Sequence, residues 1–295
     1  DWIMIIALGL VWGSTFLVIE MALEGITPFW LAAGRIGFAS LLMAAIWAAR
    51  GAVLHTDPEQ RGGWGSLIMV GMLSSAVPFM LISWGQQYVT SGFTGVSMAS
   101  VALMVLPLAH FMIPGEHISL RKVLGFIVGF AGVVILMGAS AFESSGASLE
   151  TAGRLTILSA TACYAISSVM IRRLPPMDPI GLATVLMIIG CALVLPAAYL
   201  IEGPPPLPDT RTLIIIIILG MIPTATASLL RVIVIRSAGP TFMSLTNYQV
   251  PIWAVLLGAV FLGEPLPPSL IWSLILILSG VGLSQYGALK RLFSR

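Results

Sequence analysis

Charged side chains are scarce in this sequence: Asp, Glu, Lys and Arg make up 9% of the 295 residues, whereas hydrophobic types make up 58%. A water-soluble domain carries roughly a quarter of charged residues. So few charges cannot cover a surface that faces water, which predicts that lipid is the main solvent. Backbone groups in lipid are satisfied only by helices or a closed barrel. Barrel strands alternate apolar and polar residues, whereas runs such as 212–222 are continuously apolar, which favours helices.

Residues that build catalytic and metal sites are also few. The chain has three histidines and two cysteines, and both Cys163 and Cys191 lie within apolar runs, where packing is the expected role. The sequence lacks the metalloprotease and serine-hydrolase motifs and paired catalytic carboxylates. A net charge of +2 is too small to indicate a nucleic-acid partner. We therefore predict that the protein is not an enzyme, binds no nucleic acid and needs no cofactor or metal.

Ten apolar runs are each long enough to cross a bilayer, which takes about 20 residues in a helix. The first run is too long for the core of a signal peptide, so we interpret it as a retained helix. The predicted spans are 2–22, 28–49, 64–88, 92–113, 121–140, 152–172, 179–201, 212–235, 240–262 and 268–289.

The distribution of lysine and arginine predicts the orientation. With the first helix starting in the cytoplasm, ten basic residues fall on the inner side and two, Arg154 and Arg211, on the outer side. Cytoplasmic loops carry such an excess. The bias therefore supports an even number of spans, with both termini cytoplasmic.

A sequence motif recurs at an interval of half the chain. Gly115-Glu116 follows the fourth run and Gly263-Glu264 follows the ninth, 148 residues later. Two halves of five helices, 1–145 and 146–295, would insert with opposite orientations. The predicted fold is thus an all-α integral membrane protein with ten transmembrane helices as two inverted five-helix repeats, an architecture typical of transporters. We interpret the Gly-Glu motif itself as structural, because a carboxylate favours a helix N-terminus.

Prolines interrupt corresponding helices in both halves. Pro78 and Pro223 mark the third and eighth runs, and Pro107 and Pro251 mark the fourth and ninth. Interrupted helices at matching positions indicate the binding site of a transporter, and polar groups in lipid face the interior. The candidate substrate-binding residues are Trp12, Ser14, Thr15, Pro78, Trp84, Tyr88, Ser97, Tyr164, Asn247, Tyr248 and Gln249.

These candidates have structural alternatives. Serine and threonine often bond carbonyls of their own helix, and Trp84 and Tyr88 could form an aromatic belt at the outer membrane surface. Arg35 could pair with Glu20 as a structural element or could bind an anionic group. The remaining cavity groups are uncharged, which suits a small amphipathic or zwitterionic solute carried with no coupling or with weak coupling to protons.

The first run also resembles a known family. It carries a tryptophan-glycine signature similar to that of EamA-type members of the drug/metabolite transporter superfamily, Val11-Trp12-Gly13-Ser14-Thr15-Phe16. Arg35 and the paired Gly-Glu motifs match as well. The second half departs from the pattern, with Cys163-Tyr164-Ala165 where the first half has the tryptophan-glycine pair and Leu186 where it has Arg35. The resemblance covers essentially the whole chain.

Within that superfamily the chain looks most like YddG-type exporters of aromatic amino acids in the bacterial inner membrane. The resemblance implies export of aromatic or apolar amino acids by alternating access around a central cavity. It also implies a multi-pass protein whose partners are its small-molecule substrate and the lipid bilayer, and we expect a monomer. A multidrug or other metabolite exporter of the same superfamily is the alternative, and a passive channel is a further one.

Overall fold

The computed structural model describes residues 2–55, 63–112, 118–137, 149–238, 243 and 246–293. This part of the chain is helical, and its one isolated β-bridge joins His55 to Met177. The helices are α1 (Trp2–Leu23), α2 (Pro28–Ala49), α3 (Trp64–Gly71), α4 (Val77–Gly85), α5 (Ser91–Ala99), α6 (Val101–Met112), α7 (Leu120–Met137), α8 (Leu149–Arg173), α9 (Pro179–Glu202), α10 (Thr210–Leu219), α11 (Ala227–Ala238), α12 (Thr246–Leu262) and α13 (Pro268–Phe293).

Eight helical stretches in the described residues are long and apolar enough to cross a membrane. They are Trp2–Leu23, Pro28–Ala49, Trp64–Gly85, Ser91–Met112, Leu149–Arg173, Pro179–Glu202, Thr210–Arg231 and Pro268–Gly287. The other two predicted spans overlap α7, of 18 residues, and α12, an apolar helix of 17 residues. The prediction of an all-helical membrane protein is confirmed.

Two of the predicted helices contain π-helical segments that the sequence did not indicate. The first π segment, Met72–Ala76, precedes α4, and the second π segment, Gly220–Thr226, joins α10 to α11. In each, the hydrogen bond spans five residues, from Val77 N–H to Met72 O and from Ala227 N–H to Ile222 O. Both segments adjoin or contain a proline, which lacks the N–H that would close an α-helical turn. π-Bulges of this kind occur frequently at functional sites.

Glycines allow α7 and α13 to pack closely. A Cβ atom added at Gly125 would lie 2.5 Å from Gly280 O, and one added at Gly132 would lie 2.8 Å from Ile277. The helix backbones therefore touch where the small residues face each other, as interfaces in membranes favour. Gly129 of α7 takes part as well, since a Cβ atom added at Gly280 would meet the backbone N of Gly129.

Carboxylates from the second half cap helices of the first half. Glu264 accepts hydrogen bonds from Ser91 N and Gly92 N, at 2.7 and 2.9 Å, and so caps α5. Glu202, the last residue of α9, accepts from Phe29 N and Trp30 N, at 3.0 and 3.1 Å, and so caps α2. Free N–H groups and the helix dipole favour a negative charge there. The structural role predicted for Glu264 is confirmed, although it caps α5 and not the helix that follows it. Glu116 lies outside the described residues.

Candidate functional site

The second π segment collects polar contacts from three helices. Pro223 has no N–H to donate to Leu219 O, and the Thr224 hydroxyl donates to that carbonyl instead, at 2.8 Å. The same hydroxyl oxygen accepts from Arg35 Nε of α2 at 2.8 Å. The Pro223 carbonyl in turn accepts from the indole Nε1 of Trp12, in α1, at 3.1 Å. The interrupted helix thus brings Trp12 and Arg35 to adjacent residues.

Arg35 is buried, with 8% of its surface exposed, and lies among aromatic side chains. Its guanidinium carbon is 4.1 Å from the centre of the Phe79 ring, a cation–π distance. Tyr164 of α8 is close enough to interact with it electrostatically. We call Trp12, Arg35, Phe79, Tyr164 and Thr224 the arginine cluster.

The predicted pairing of Arg35 with Glu20 is wrong. Glu20 instead lies beside Glu264, within hydrogen-bonding reach of that carboxylate. The reason is the face of α1 on which Glu20 lies: it is turned toward the N-terminus of α5, away from α2. Within the described ranges, no carboxylate pairs with Arg35, whose hydrogen bond goes to a neutral hydroxyl.

The first π segment also places a hydroxyl group against a helix of the second half. The Ser75 hydroxyl donates to Gly71 O at 2.8 Å and also approaches Leu186 O of α9, at 3.3 Å. Each π segment therefore packs a hydroxyl side chain against the opposite half. The two contacts differ in charge, because Leu186 stands where α2 has Arg35.

The tryptophan-glycine signature divides its roles between two helices. A Cβ atom added at Gly13 would lie 2.9 Å from Val250 O, so this glycine lets α1 approach α12. Trp12 points to the second π segment. Ser14 and Thr15 donate to Val11 O of their own helix, at 3.0 and 2.9 Å, which agrees with the structural alternative.

The other aromatic candidates of the first half lie apart from the arginine cluster. The rings of Trp84 and Tyr88 are 4.9 Å apart and tilted by 59°. Tyr88 lies beyond the end of α4, in a turn that its N–H closes to Gly85 O at 2.9 Å. Trp84 borders an apolar groove of about 300 Å³, which is lined by Phe29, Val77, Met80, Leu81, Trp84, Thr156, Ala197 and Ile201.

The candidates at the start of α12 face three directions. Asn247 is exposed. Gln249 packs on α1, where a Cβ atom added at Gly9 would lie 2.7 Å from the Cβ atom of Gln249. Tyr248 packs against α13 near Gly282. Its hydroxyl has no hydrogen-bond partner in the described residues, and the same holds for the buried hydroxyl of Ser97.

Three members of the arginine cluster, Arg35, Phe79 and Thr224, are absent from the candidate substrate-binding residues, although binding of an anionic group was one alternative for Arg35. Phe79 is one of many apolar residues in its run, and its only distinguishing signal is that it follows Pro78. Thr224 follows Pro223 in the same way. In both cases the cluster residue directly follows a proline that interrupts a transmembrane helix. Pro78 itself is buried and follows the first π segment.

Comparison with known proteins agrees with the sequence signature. The EamA-like transporter family matches this chain twice, over residues 2–138 and 151–285. The chain belongs to the EamA-like transporter family. The EamA resemblance inferred from Trp12, Gly13 and the paired Gly-Glu motifs is therefore confirmed, and the protein is a membrane transporter.

The relatives are distant and cover nearly the whole chain. The uncharacterized inner membrane transporter YedA of Escherichia coli K12 is 28% identical over 268 residues, which are 88% of this chain and 82% of YedA. The uncharacterized transporter YoaV of Bacillus subtilis is 21% identical over 289 residues, 97% of each chain. A solved crystal structure with 19% identity superposes with a TM-score of 0.68, covering 98% of this chain and 97% of that one. At this identity it shows the fold of the EamA-like transporter and nothing more.

Proposed function

We propose that this EamA-like transporter exports small amphipathic metabolites, with aromatic and apolar amino acids as the main substrates. The observation that carries the proposal is the arginine cluster, where Trp12 and Arg35 meet on the second π segment. The cluster offers aromatic faces, hydroxyl groups and one cation, groups that suit a zwitterion with an apolar side chain. Few polar groups placed in an apolar site give such orientation and specificity.

We further propose that the ten helices form two inverted repeats that work by alternating access. The two family matches cover one half each, and each π segment has a hydroxyl side chain that contacts a helix of the opposite half, α9 or α2. Interrupted helices at corresponding positions near the membrane centre are typical of such transporters. The substrate site would then lie where the second π segment faces the first half, with the other candidate residues lining the path to it.

The contacts between helices support one alternating-access state. α5 packs on α12, where Gly95 faces Ala254, and Glu264 caps the N-terminus of α5. α6, the continuation of α5, instead contacts α8, where the Thr161 hydroxyl lies 3.5 Å from Met104 Sδ. In the part of the chain that the structure describes, α6 makes few contacts with α12. With the predicted orientation, α5 and α12 are in contact on the outer side, whereas α6 and α12 are separated on the cytoplasmic side. We therefore propose that the structure is open toward the cytoplasm.

We place the protein in a bacterial inner membrane, as a monomer with cytoplasmic termini. YedA is described as an inner membrane transporter, which supports this location. We also propose transport without ion coupling, because no carboxylate among the described residues pairs with Arg35. An imposed pH gradient should then leave uptake unchanged, whereas uphill accumulation driven by that gradient would contradict the proposal.

Counterflow in proteoliposomes tests the function. Vesicles are loaded with excess unlabelled tryptophan, phenylalanine, methionine or threonine, and uptake of the same labelled amino acid is followed. Saturable, transient accumulation of the aromatic and apolar amino acids, larger than that of threonine, is the expected result. Single-channel conductance without saturable exchange would indicate a passive channel. Absence of counterflow for all four, in folded protein, would contradict amino-acid export.

A multidrug exporter of the same superfamily is the second candidate. Drug export should favour bulky cations and should not respond to free amino acids. The aromatic side chains of the arginine cluster suit such ligands, but the buried charge of Arg35 repels them. Competition of labelled phenylalanine counterflow by a lipophilic cation at similar concentrations would support drug export.

A further inference from the structure

Arg35 is buried, and no carboxylate among the residues that the structure describes neutralises its charge. The side chain is 8% exposed, and its neighbours are the Phe79 ring, the Thr224 hydroxyl and Tyr164. Buried charges in proteins are normally paired or coordinated, because burial without a partner is costly. A charged residue within a membrane-spanning segment therefore indicates a functional site, and the partner it lacks indicates the ligand.

The contacts of Arg35 use one of its donors and leave the others available. Arginine has five N–H donors in a planar fork, and within the described residues Nε is the one that donates, to Thr224. Thr224 is itself fixed by its hydrogen bond to Leu219 O. The Phe79 ring lies against the guanidinium carbon, a contact that supports the plane of the group. The terminal amino groups are thus oriented and can donate in pairs to a carboxylate, the geometry that arginine favours.

The matching position in the second half shows that the fold does not require this charge. Leu186 of α9 approaches the first π segment through its carbonyl, which lies 3.3 Å from the Ser75 hydroxyl. An aliphatic side chain stands there, in the place where α2 carries a cation. Only the first of these two matching positions carries a charge, so the two halves contribute different chemistry to the site.

We propose that Arg35 binds the carboxylate of the transported solute, so that the protein selects organic molecules carrying a carboxylate. This inference rests on the proposed function, since it assigns a role within the same site. Trp12, which contacts the adjacent Pro223, then faces the apolar part of the solute. Neutral amides and lipophilic cations are excluded because they leave the buried charge without an anion.

A panel of three ligands tests the assignment on wild-type protein. 3-Phenylpropionate carries the carboxylate, 3-phenylpropionamide is its neutral analogue of the same shape, and phenethylamine is a cation. Inhibition of labelled phenylalanine counterflow should require at least about tenfold less 3-phenylpropionate than amide, a ratio typical of one well-placed charged contact. Phenethylamine should have little effect. Equal inhibition by the carboxylate and the amide overturns the assignment.

Variants then locate the effect on Arg35. Arg35→Met should abolish the preference for the carboxylate over the amide, and Arg35→Lys should keep a preference with weaker binding, because lysine lacks the planar fork. Leu186→Met, at the matching position of α9, is the control and should behave as wild type. If Arg35→Met does not fold, Thr224→Val supplies the test, because it keeps the charge but removes the hydrogen bond to Nε. A preference for the carboxylate that Arg35→Met retains contradicts the proposal, and if that variant does not fold, 3-phenylpropionate inhibition of Thr224→Val equal to that of wild type does so.

A binding measurement separates failure of this inference from failure of the proposed function. The melting temperature of purified protein in detergent is measured with each of the three ligands and needs no transport. If no amino acid shows counterflow but 3-phenylpropionate stabilises wild type and not Arg35→Met, the carboxylate site stands and the amino-acid substrates are wrong. If the carboxylate stabilises wild type no more than the amide does, the carboxylate site is wrong whatever the transported solute.

Discussion

At the residue scale, Thr224 connects three parts of the structure through one hydroxyl group. It donates to Leu219 O and accepts from Arg35 Nε, both at 2.8 Å. The first bond replaces the donor that Pro223 lacks, and the second orients the buried cation. Both partners are buried in this structure, so removal of the hydroxyl leaves each of them without that hydrogen bond.

Thr224→Val should therefore destabilise the protein. Valine keeps the shape of threonine but leaves a carbonyl and a guanidinium N–H without their partner, at a cost of about 1–3 kcal/mol for each buried group. Thr224→Ser keeps the hydroxyl and is the control, with a smaller effect expected. Thermal unfolding in detergent measures both variants. A melting temperature of Thr224→Val equal to that of Thr224→Ser would show that these hydrogen bonds contribute little.

At the element scale, the close packing of α7 on α13 depends on the absence of side chains. A Cβ atom at Gly125 would lie 2.5 Å from Gly280 O and 2.7 Å from Ser284 N, both of which are backbone atoms. A flexible side chain can move aside, but a helix backbone moves only with the whole helix. Gly37 of α2 offers the opposite case, since an added Cβ atom there meets nothing within 4 Å.

Gly125→Ala should consequently separate α7 from α13 and lower stability by about 1–3 kcal/mol, the usual cost of overpacking. Gly37→Ala is the matched control, because it places the same methyl group in a helix with open space. It should be neutral or slightly stabilising, since alanine favours a helix over glycine by up to about 1 kcal/mol. Thermal unfolding of the two variants compares them. Equal melting temperatures would contradict the glycine-dependent packing.

The sequence predicted the helices and the prolines that interrupt them, but not the contacts between the helices. The apolar runs placed the helices that the structure describes, and Pro223 marked the interruption of its helix, because proline lacks a backbone N–H donor. The π-helical segment 220–226 leaves carbonyls that need other donors. Leu219 O accepts from the Thr224 hydroxyl and Pro223 O accepts from the Trp12 indole, and the sequence alone does not show these contacts. Arg35 and Glu20 were expected to pair because they lie at similar depth.

The direction in which each helix face points was the missing information. Glu20 lies on the side of α1 that faces Glu264, and Arg35 lies on the side of α2 that faces Thr224. A single sequence gives the spacing of residues along a helix but not the rotation of that helix about its axis. Trp84 and Tyr88 illustrate the same limit, since they contact each other but lie apart from Trp12.

At the scale of the whole molecule, α5 and α12 form the contact that the alternating-access proposal opens. Glu264 caps α5 from the loop after α12, and Gly92 faces Val255, whose Cα atom is 3.6 Å from the position of an added Cβ. The two helix backbones therefore approach each other closely at these positions, as a disulfide between them requires. A link there would hold the outer side closed.

The double variant Gly92→Cys/Val255→Cys, made after Cys163 and Cys191 are replaced by alanine, tests this opening. Oxidation should reduce counterflow at least about tenfold, since access to the site from one side is lost, and reduction should restore it. Each single-cysteine variant, treated in the same way, is the control. Full counterflow in protein that is demonstrably cross-linked would contradict movement of α5 relative to α12.

Counterflow of labelled phenylalanine in proteoliposomes made with Trp12→Ala and Trp272→Ala tests the central claim most directly. Trp12 donates to Pro223 O at the arginine cluster, whereas Trp272 of α13 is 60% exposed on the outside of the helix bundle. The account predicts that wild type and Trp272→Ala exchange phenylalanine equally and that Trp12→Ala loses at least about tenfold in rate, the loss of one substrate contact. Exchange by Trp12→Ala at the wild-type rate would contradict a site at the second π segment.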